Sequence, residues 1–120
     1  MIEIKKIDDL KGLRKFIQFR YDLYRDDPND VPYLYSDEEF TLRRDKNASF
    51  DDCEADYFMA WRDGKPVGRV AAIINRKANE RWQTKSVRFG WFDFINDLEV
   101  SKALLDTVAQ WGRERGMDKM

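Results

Sequence analysis

Acid–base chemistry in this chain is restricted to a few residue types, because the sequence contains no histidine. Proton transfer must therefore fall to carboxylates, tyrosines, lysines or the single cysteine, Cys53. Asp93 is the most notable of these groups, since it lies in residues 87–95, the most apolar and aromatic run of the sequence. An ionised carboxylate in such a run is costly unless it is paired or lies at an open end. We therefore expect Asp93 to pair with an arginine such as Arg69 or Arg76, or to bond to the following turn.

Other acidic and aromatic side chains allow further kinds of site, each beside a simpler structural interpretation. Asp97 and Glu99 flank a helix start and are more typical of capping residues than of catalysts. The remaining candidates are acidic pairs that could hold a hard cation and aromatic residues that could line an acceptor pocket: Asp26/Asp27, Asp51/Asp52, Tyr33, Tyr35 and Trp82. Acidic pairs are common in solvated loops, so we predict no metal site. Cys53 has acidic neighbours, which oppose the thiolate and make it a poor nucleophile.

A strand, turn and helix over residues 86–116 must position Asp93. Residues 87–95 carry bulky side chains at both parities, which is typical of a strand covered on both faces. We therefore predict that this strand is central in its sheet. Alternation along the strand predicts that Asp93 shares one face with Phe89 and Trp91.

The turn after this strand predicts a helix start at residues 96–99, Asn-Asp-Leu-Glu. Asn96 is expected to be the N-cap residue, and Glu99 completes a capping box with it. The helix is expected to run to Arg115, with Gly116 as the left-handed residue after its end. Its core-facing stripe has helical spacing and consists of Val100, Leu104, Val108 and Trp111.

The preceding residues predict one long helix, one short helix and three strands. Residues 2–7 alternate as a half-buried strand, Asp8 or Asp9 caps a helix to about Arg25, and Ser36 with Glu39 forms a capping box for a short helix. Residues 55–62 and 65–75 form an antiparallel hairpin around a type I′ turn at Asp63-Gly64. Gly68 in the second strand indicates a bulge or a close backbone approach. Residues 26–53 form a long polar connection, either a binding loop or a loop pinned by its own aromatic residues.

Composition narrows the class of protein. With 120 residues, 42% of them hydrophobic, the chain is expected to form a single domain. The net charge is −1, and basic and acidic residues are interspersed along the chain without forming a basic stripe. We therefore expect no nucleic-acid partner. No apolar run approaches the ~20 residues that a membrane helix needs, so we expect no membrane segment. The lone cysteine and the absence of a signal-peptide pattern favour the cytoplasm.

The order of these elements resembles the N-terminal half of the GNAT (N-acetyltransferase) superfamily, and particularly a bacterial branch of it. The phrases that carry the resemblance cover residues 24–29 with Val31-Pro32, residues 63–73, residues 89–92 and residues 99–116. It implies an α/β (α+β) fold of the acyl-CoA N-acyltransferase type, with a mixed, mainly antiparallel sheet and flanking helices. Residues 1–120 are then the N-terminal portion of a GNAT-like domain, truncated after the helix that follows the fourth strand.

The resemblance also implies a cofactor and a site. Acetyl-CoA is the donor in such a family, and its pyrophosphate binds at the turn after the fourth strand, here Phe94, Ile95, Asn96 and Asp97. Asp93 would be the general base on that strand. The family signature at this turn, Arg/Gln-x-x-Gly-x-Gly/Ala, is missing, because residues 94–99 contain no glycine. Asp97 and Glu99 also bring negative charge to the place where a pyrophosphate would lie.

Two functions are therefore open. The first is an N-acetyltransferase that moves an acetyl group from acetyl-CoA to a small-molecule or peptide amine. The second is a non-catalytic GNAT-like module for ligand sensing or protein interaction that has lost CoA binding. In either case, if the chain ends before a fifth strand, the central strand has an open edge, which predicts self-association.

Overall fold

The computed structural model describes residues 2–25, 35–43 and 53–120. In chain order these form β1 (Ile2–Lys6), α1 (Leu10–Leu23), α2 (Tyr35–Leu42), β2 (Cys53–Arg62), β3 (Lys65–Asn75), α3 (Arg76–Trp82), β4 (Arg88–Phe94) and α4 (Leu98–Glu114). The strands and the two long helices lie within two residues of the boundaries predicted from sequence. The short helix α2 begins at Tyr35, one residue before Ser36, and the side chain of Ser36 lies outside the described residues, so its predicted capping box stays a prediction.

The strands of the described residues form one antiparallel sheet in the order β1-β2-β3-β4. At the tip of the β2–β3 hairpin, Asp63 and Gly64 have φ angles of 52° and 79°. Positive φ at both central residues is what a type I′ turn requires, so the predicted hairpin is confirmed. The predicted α+β class with a mainly antiparallel sheet is also confirmed.

Helices cover both faces of this sheet and build a core on each. On one face α4 contributes the predicted stripe of Val100, Leu104, Val108 and Trp111, all buried. On the other face α1 buries Leu13, Phe16, Ile17 and Phe19 against β2 and β3, and Leu42 of α2 joins them. The two apolar layers hold β2 and β3 between them, and these two strands are therefore the central ones.

Gly68 of β3 lets α4 come close to the sheet. A Cβ atom at this position would lie 2.7 Å from Leu104 Cδ1 and 2.9 Å from Val100 Cγ1. Carbon atoms in contact are normally about 3.5–4.0 Å apart, so a larger residue fits only if the Leu104 and Val100 side chains move. The predicted close approach at Gly68 is confirmed.

β4 is an edge strand in the described part of the sheet, which corrects the prediction that it is central. It pairs with β3 alone, and its side chains are exposed or half-buried, with Phe89 44% exposed. Bulky residues occur at both odd and even positions because a β-bulge interrupts the alternation of side chains between the two faces of the strand.

Residues 118–119 lie beside the start of β4. Ser86 and Lys119 form an isolated parallel bridge, and the Val87 amide donates to the Lys119 carbonyl at 2.8 Å. The Asp118 amide donates to the Lys85 carbonyl at 2.9 Å. This is the only β contact that the described residues place on the outer side of β4.

None of the helices in the described ranges is both long enough and apolar enough to cross a bilayer.

Candidate functional site

Asp93 is held by Arg69, its register partner on β3. The Arg69 Nε and Nη2 atoms both donate to Asp93 Oδ2, at 2.9 and 2.8 Å. The pair joins β3 to β4 through side chains as well as backbone. Arg69 is one of the two arginines that the sequence suggested as partners of this carboxylate.

Arg69 is almost completely buried, with 2% of its surface exposed. Its third nitrogen, Nη1, donates to the Phe16 carbonyl of α1 at 3.0 Å, and its guanidinium lies 5.0 Å from the centre of the Phe16 ring. A buried charge is tolerated only when its partners satisfy it, and here the backbone of α1 and the carboxylate of Asp93 do so. Arg69 thus ties α1, β3 and β4 together at one point.

Tyr24 completes this cluster, and its role was missed in the sequence. It is the C-cap residue of α1, and its hydroxyl donates to Asp93 Oδ1 at 3.1 Å. The guanidinium of Arg20 lies 5.2 Å from the Tyr24 ring. In the sequence, residue 24 stood out only as the first of residues 24–29, which carry the family resemblance. A tyrosine hydroxyl that is partly buried usually finds a partner, but nothing near Tyr24 in the chain points to Asp93.

A bulge in β4 turns Asp93 toward α1. Arg69 pairs with Asp93 but Ala71 pairs with Gly90, so Trp91 and Phe92 together lie opposite Val70. Trp91 has a φ of 46°, which is uncommon for a residue other than glycine. The extra residue shifts the alternation of side chains by one position.

This shift corrects part of the prediction for Asp93, which shares a face with Trp91 as expected but not with Phe89. Trp91 packs with the α1 side of the sheet, where Asp93 meets Arg69 and Tyr24. Phe92 packs on the α4 side, and its ring lies 5.6 Å from that of Phe89. Phe89 and Asp93 therefore lie on opposite faces, because the bulge separates them.

The turn after β4 is capped by Asp97, and the predicted Asn96 N-cap is wrong. Asp97 Oδ1 accepts from the Glu99 amide at 2.9 Å. The Ile95 amide still bonds to the Val67 carbonyl at 3.0 Å, so strand pairing continues past Phe94 and leaves Asn96 in the turn. The expectation that Asp97 is a capping residue is confirmed.

Arg62, the last residue of β2, neutralises part of this turn. Its Nη1 atom lies 2.9 Å from Asp97 Oδ2, and its Nη2 atom lies 3.7 Å from Glu99 Oε2. The hydrogen bond from Arg62, followed by the one from the Glu99 amide, lowers the pKa of Asp97 below its ordinary value. Arg62 was not singled out in the sequence, because nothing near it in the chain predicts contact with α4.

These contacts decide whether a pyrophosphate fits at the turn. The amides of Ile95, Asp97 and Glu99 donate to the Val67 carbonyl, the Ile95 carbonyl and the Asp97 carboxylate, respectively. A pyrophosphate cradle instead offers free amides, usually from glycines, at the helix start. The turn at Phe94, Ile95, Asn96 and Asp97 does not fit the group in this arrangement, and its role in cofactor binding stays a prediction.

A second ionic cluster joins β2 to the C-terminal end of α4 and was also missed. Buried Asp56 accepts from Trp111 Nε1 at 2.8 Å and lies 3.3 Å from Arg115 Nη2. Arg115 also bonds to Glu54 at 2.6 Å, and its guanidinium lies 4.1 Å from the centre of the Trp111 ring. The cluster satisfies a buried carboxylate and holds α4 on the sheet.

Two further sequence candidates that the structure describes, Cys53 and Trp82, are not among the partners of Asp93. Cys53 is half-buried at the start of β2, and Trp82 is 68% exposed on α3. No group of three or more metal-ligating side chains occurs among the residues that the structure describes. The remaining candidates lie outside the described residues, or their side chains do: Asp26/Asp27, Tyr33, Tyr35 and Asp51/Asp52.

Sequence comparison finds relatives but no matching family model. The chain is 33% identical over 108 residues to Protein YghO of Escherichia coli, covering 90% of this chain and 27% of that protein. It is 30% identical over 105 residues to the bacterial ceramide synthase of Caulobacter vibrioides, covering 87% of this chain and 27% of that protein. The chain therefore spans about a quarter of the length of these curated relatives.

Comparison of structures finds the same kind of fold repeatedly. A tandem GNAT protein from the clavulanic acid biosynthesis pathway matches with a TM-score of 0.74 and 13% identity, covering 98% of this chain and 34% of that one. An acyl-CoA N-acyltransferase from Pseudomonas aeruginosa matches with a TM-score of 0.65 and 18% identity, covering 98% of this chain and 75% of that one. The chain has the fold of the GNAT acyl-CoA N-acyltransferases.

Proposed function

We propose that the chain belongs to an N-acyltransferase that joins an acyl group to an amine, with Asp93 as the base. The fold supports the reaction class, since the structures that resemble it are acetyltransferases and acyltransferases. The observation that carries the proposal is the cluster of Asp93, Arg69 and Tyr24. It sets a carboxylate on β4 with one oxygen fully occupied and the other bonded to a single hydroxyl.

Amide formation requires proton removal. The amine nitrogen bonds to the acyl carbon, the bond from that carbon to the donor's leaving group breaks, and the nitrogen loses a proton. Asp93 Oδ2 already accepts two bonds from Arg69, so the proton goes to Oδ1. The Tyr24 hydroxyl is bonded to that oxygen and can take a proton from the amine while giving its own to Asp93. Arg69 acts as a positioning residue, because it fixes the orientation of the carboxylate.

The donor we propose is acyl-CoA, because the structure from Pseudomonas aeruginosa that this fold resembles is named an acyl-CoA N-acyltransferase. Acetyl-CoA is the first candidate. None of the described residues is assigned to the nucleotide part of this donor. The thioester would supply an activated acyl group.

The acceptor we propose is a long-chain amino alcohol. The relative named bacterial ceramide synthase is 30% identical to this chain, and a ceramide is the amide of a fatty acid with such an amino alcohol. The structures of aminoglycoside acetyltransferases are 10–13% identical and support the fold alone. A long-chain amine is therefore a better first acceptor than an aminoglycoside.

Mass spectrometry tests the reaction directly. The protein is incubated with sphinganine and either acetyl-CoA or palmitoyl-CoA, and the N-acyl product is measured together with free thiol. We expect equal amounts of amide and thiol, both strongly reduced in Asp93→Asn and less so in Tyr24→Phe. The matched control is Asp106→Asn, which removes an exposed carboxylate of α4 that pairs with Lys102. Thiol release without amide would indicate hydrolysis and contradict the proposal.

A non-catalytic GNAT-like module is the second candidate, and the Asp97 cap favours it. The amides of Ile95, Asp97 and Glu99 at this turn donate to groups within the chain. In this case the protein binds an amine or a partner but forms no amide with any acyl-CoA. Calorimetry that shows amine binding by a protein without turnover would favour this candidate over the enzyme.

A further inference from the structure

We propose that the Asp97 carboxylate occupies the anion position at the start of α4 and, held there by Arg62, excludes cofactor phosphates from this turn. The inference does not depend on acyl transfer. It concerns what the first turn of α4 can bind, and it is stated for residues 95–99 together with Arg62.

The two oxygens of Asp97 make the contacts that a bound phosphate would make. Oδ1 accepts from the Glu99 amide in the first turn of α4 at 2.9 Å, and Oδ2 accepts from Arg62 Nη1 at 2.9 Å. Phosphates at helix starts are held in the same way, by backbone amides and by an arginine. The chain therefore supplies its own anion to this helix start.

Neighbouring bonds remove other donors. The Ile95 amide donates to the Val67 carbonyl at 3.0 Å and the Asp97 amide donates to the Ile95 carbonyl at 2.6 Å. The amides of Val100 and Ser101 donate to the Asp97 carbonyl, at 3.1 and 3.3 Å. An incoming phosphate would have to displace the Asp97 side chain before it could reach the Glu99 amide.

The charges at the turn oppose a second anion. Asp97 and Glu99 carry two negative charges, and of the groups described around them Arg62 is the cation in contact with both. The bond from Arg62 lowers the pKa of Asp97, so the carboxylate stays ionised at neutral pH. A pyrophosphate would therefore meet a local excess of negative charge.

The inference limits the proposed donor. If acyl-CoA is the donor, residues outside this turn must bind its pyrophosphate, or the protein must recognise the donor through its acyl and pantetheine parts. The acyl-transfer assay and the binding measurement below are independent of one another. A protein that makes no amide leaves the inference standing, and a protein that makes amide does not establish it.

The test is a titration of the ¹⁵N-labelled protein with inorganic pyrophosphate and then with CoA. For the wild-type protein we expect the amide signals of Leu98 and Glu99 to stay unchanged at millimolar ligand. Asp97→Ser keeps a hydroxyl for the cap but removes the charge. In that variant we expect both signals to shift with saturation, and pyrophosphate to bind about tenfold tighter or more. Glu99→Gln is the control, since it removes one charge and leaves the Asp97 contacts in place.

Three results would overturn the inference. The first is a saturable shift of the Leu98 and Glu99 signals in the wild-type protein, which would mean that phosphates reach the turn despite Asp97. The second is an Asp97→Ser protein that stays folded by its amide spectrum but shows no shift, which would mean that the carboxylate is not what excludes them. If Glu99→Gln binds as well as Asp97→Ser, general charge and not the Asp97 contact is responsible, which also contradicts the inference.

Discussion

Arg69 Nε and Nη2 converge on a single oxygen of Asp93, which leaves the other oxygen to Tyr24. Asp93 Oδ2 accepts two bonds from Arg69, whereas Asp93 Oδ1 accepts one bond from the Tyr24 hydroxyl. A purely structural ion pair and a positioned base have this geometry in common, so stability and reactivity must be measured separately.

Replacement of Arg69 tests the structural part of the pair. Arg69→Met leaves Asp93 without its buried partner and leaves the Phe16 carbonyl without a donor, so we expect a loss of about 3–5 kcal/mol in the free energy of unfolding. Urea denaturation measures it. Arg113→Met on the exposed face of α4 is the control and should change stability by less than about 0.5 kcal/mol. A loss below about 1 kcal/mol for Arg69→Met would show that the pair contributes little.

The lowered pKa of Asp97 predicts that the protein becomes less stable in acid. Its pKa in the folded protein is lowered from the ordinary value of 3.8, so its contacts stabilise the protein fully above that value. The contribution is lost as the pH falls through the lowered pKa. We expect the difference in melting temperature between wild type and Asp97→Asn to be present at pH 7 and to shrink below pH 4. Thermal scans from pH 7 to pH 2 check this, and a constant difference would contradict it.

Gly68 predicts a steric limit at the α4 interface. Gly68→Ala places a methyl group against Leu104 and Val100, so we expect a loss of about 1–3 kcal/mol in unfolding free energy. Gly90→Ala in the neighbouring strand is the matched control, because the nearest atom to its new methyl group lies 3.9 Å away. Equal losses for both variants would show that strand glycines matter for another reason.

The outer edge of β4 predicts association of the 120-residue polypeptide with itself. Beyond the bridge at Ser86 and Lys119, no strand of the described residues pairs with the outer side of β4, and such edges tend to pair with other chains. Sedimentation velocity over a range of concentrations measures the association. We expect the sedimentation coefficient to increase with concentration, whereas a constant monomer value would contradict the prediction.

Local signals predicted most of the fold. The Asp63-Gly64 turn, the stripe of α4 and the alternation of β1 depend on neighbours a few residues apart, and the elements form where these patterns occur. The start of α4 was misplaced by one residue, because Asn96 and Asp97 are both good N-cap residues. The choice between them depends on the Ile95 bond to Val67 and on Arg62, which lie far away in the chain.

The site could be predicted only in part. Asp93 was recognisable because a carboxylate is unusual in an aromatic strand, and Arg69 on the preceding strand was one of the two arginines expected as its partner. Tyr24 is 69 residues from Asp93 and its contact has no local signature. The bulge at Trp91 was equally hidden, since a residue other than glycine rarely takes a positive φ.

The rate of amide formation in a single turnover tests the central proposal most directly. Wild type, Asp93→Asn and the Asp106→Asn control are mixed with sphinganine and a saturating acyl-CoA, and the amide is measured by mass spectrometry over time. We predict a rate in Asp93→Asn lower by about 100-fold or more, with the control unchanged. A folded Asp93→Asn protein that forms amide at the wild-type rate would contradict the assignment of Asp93 as the base.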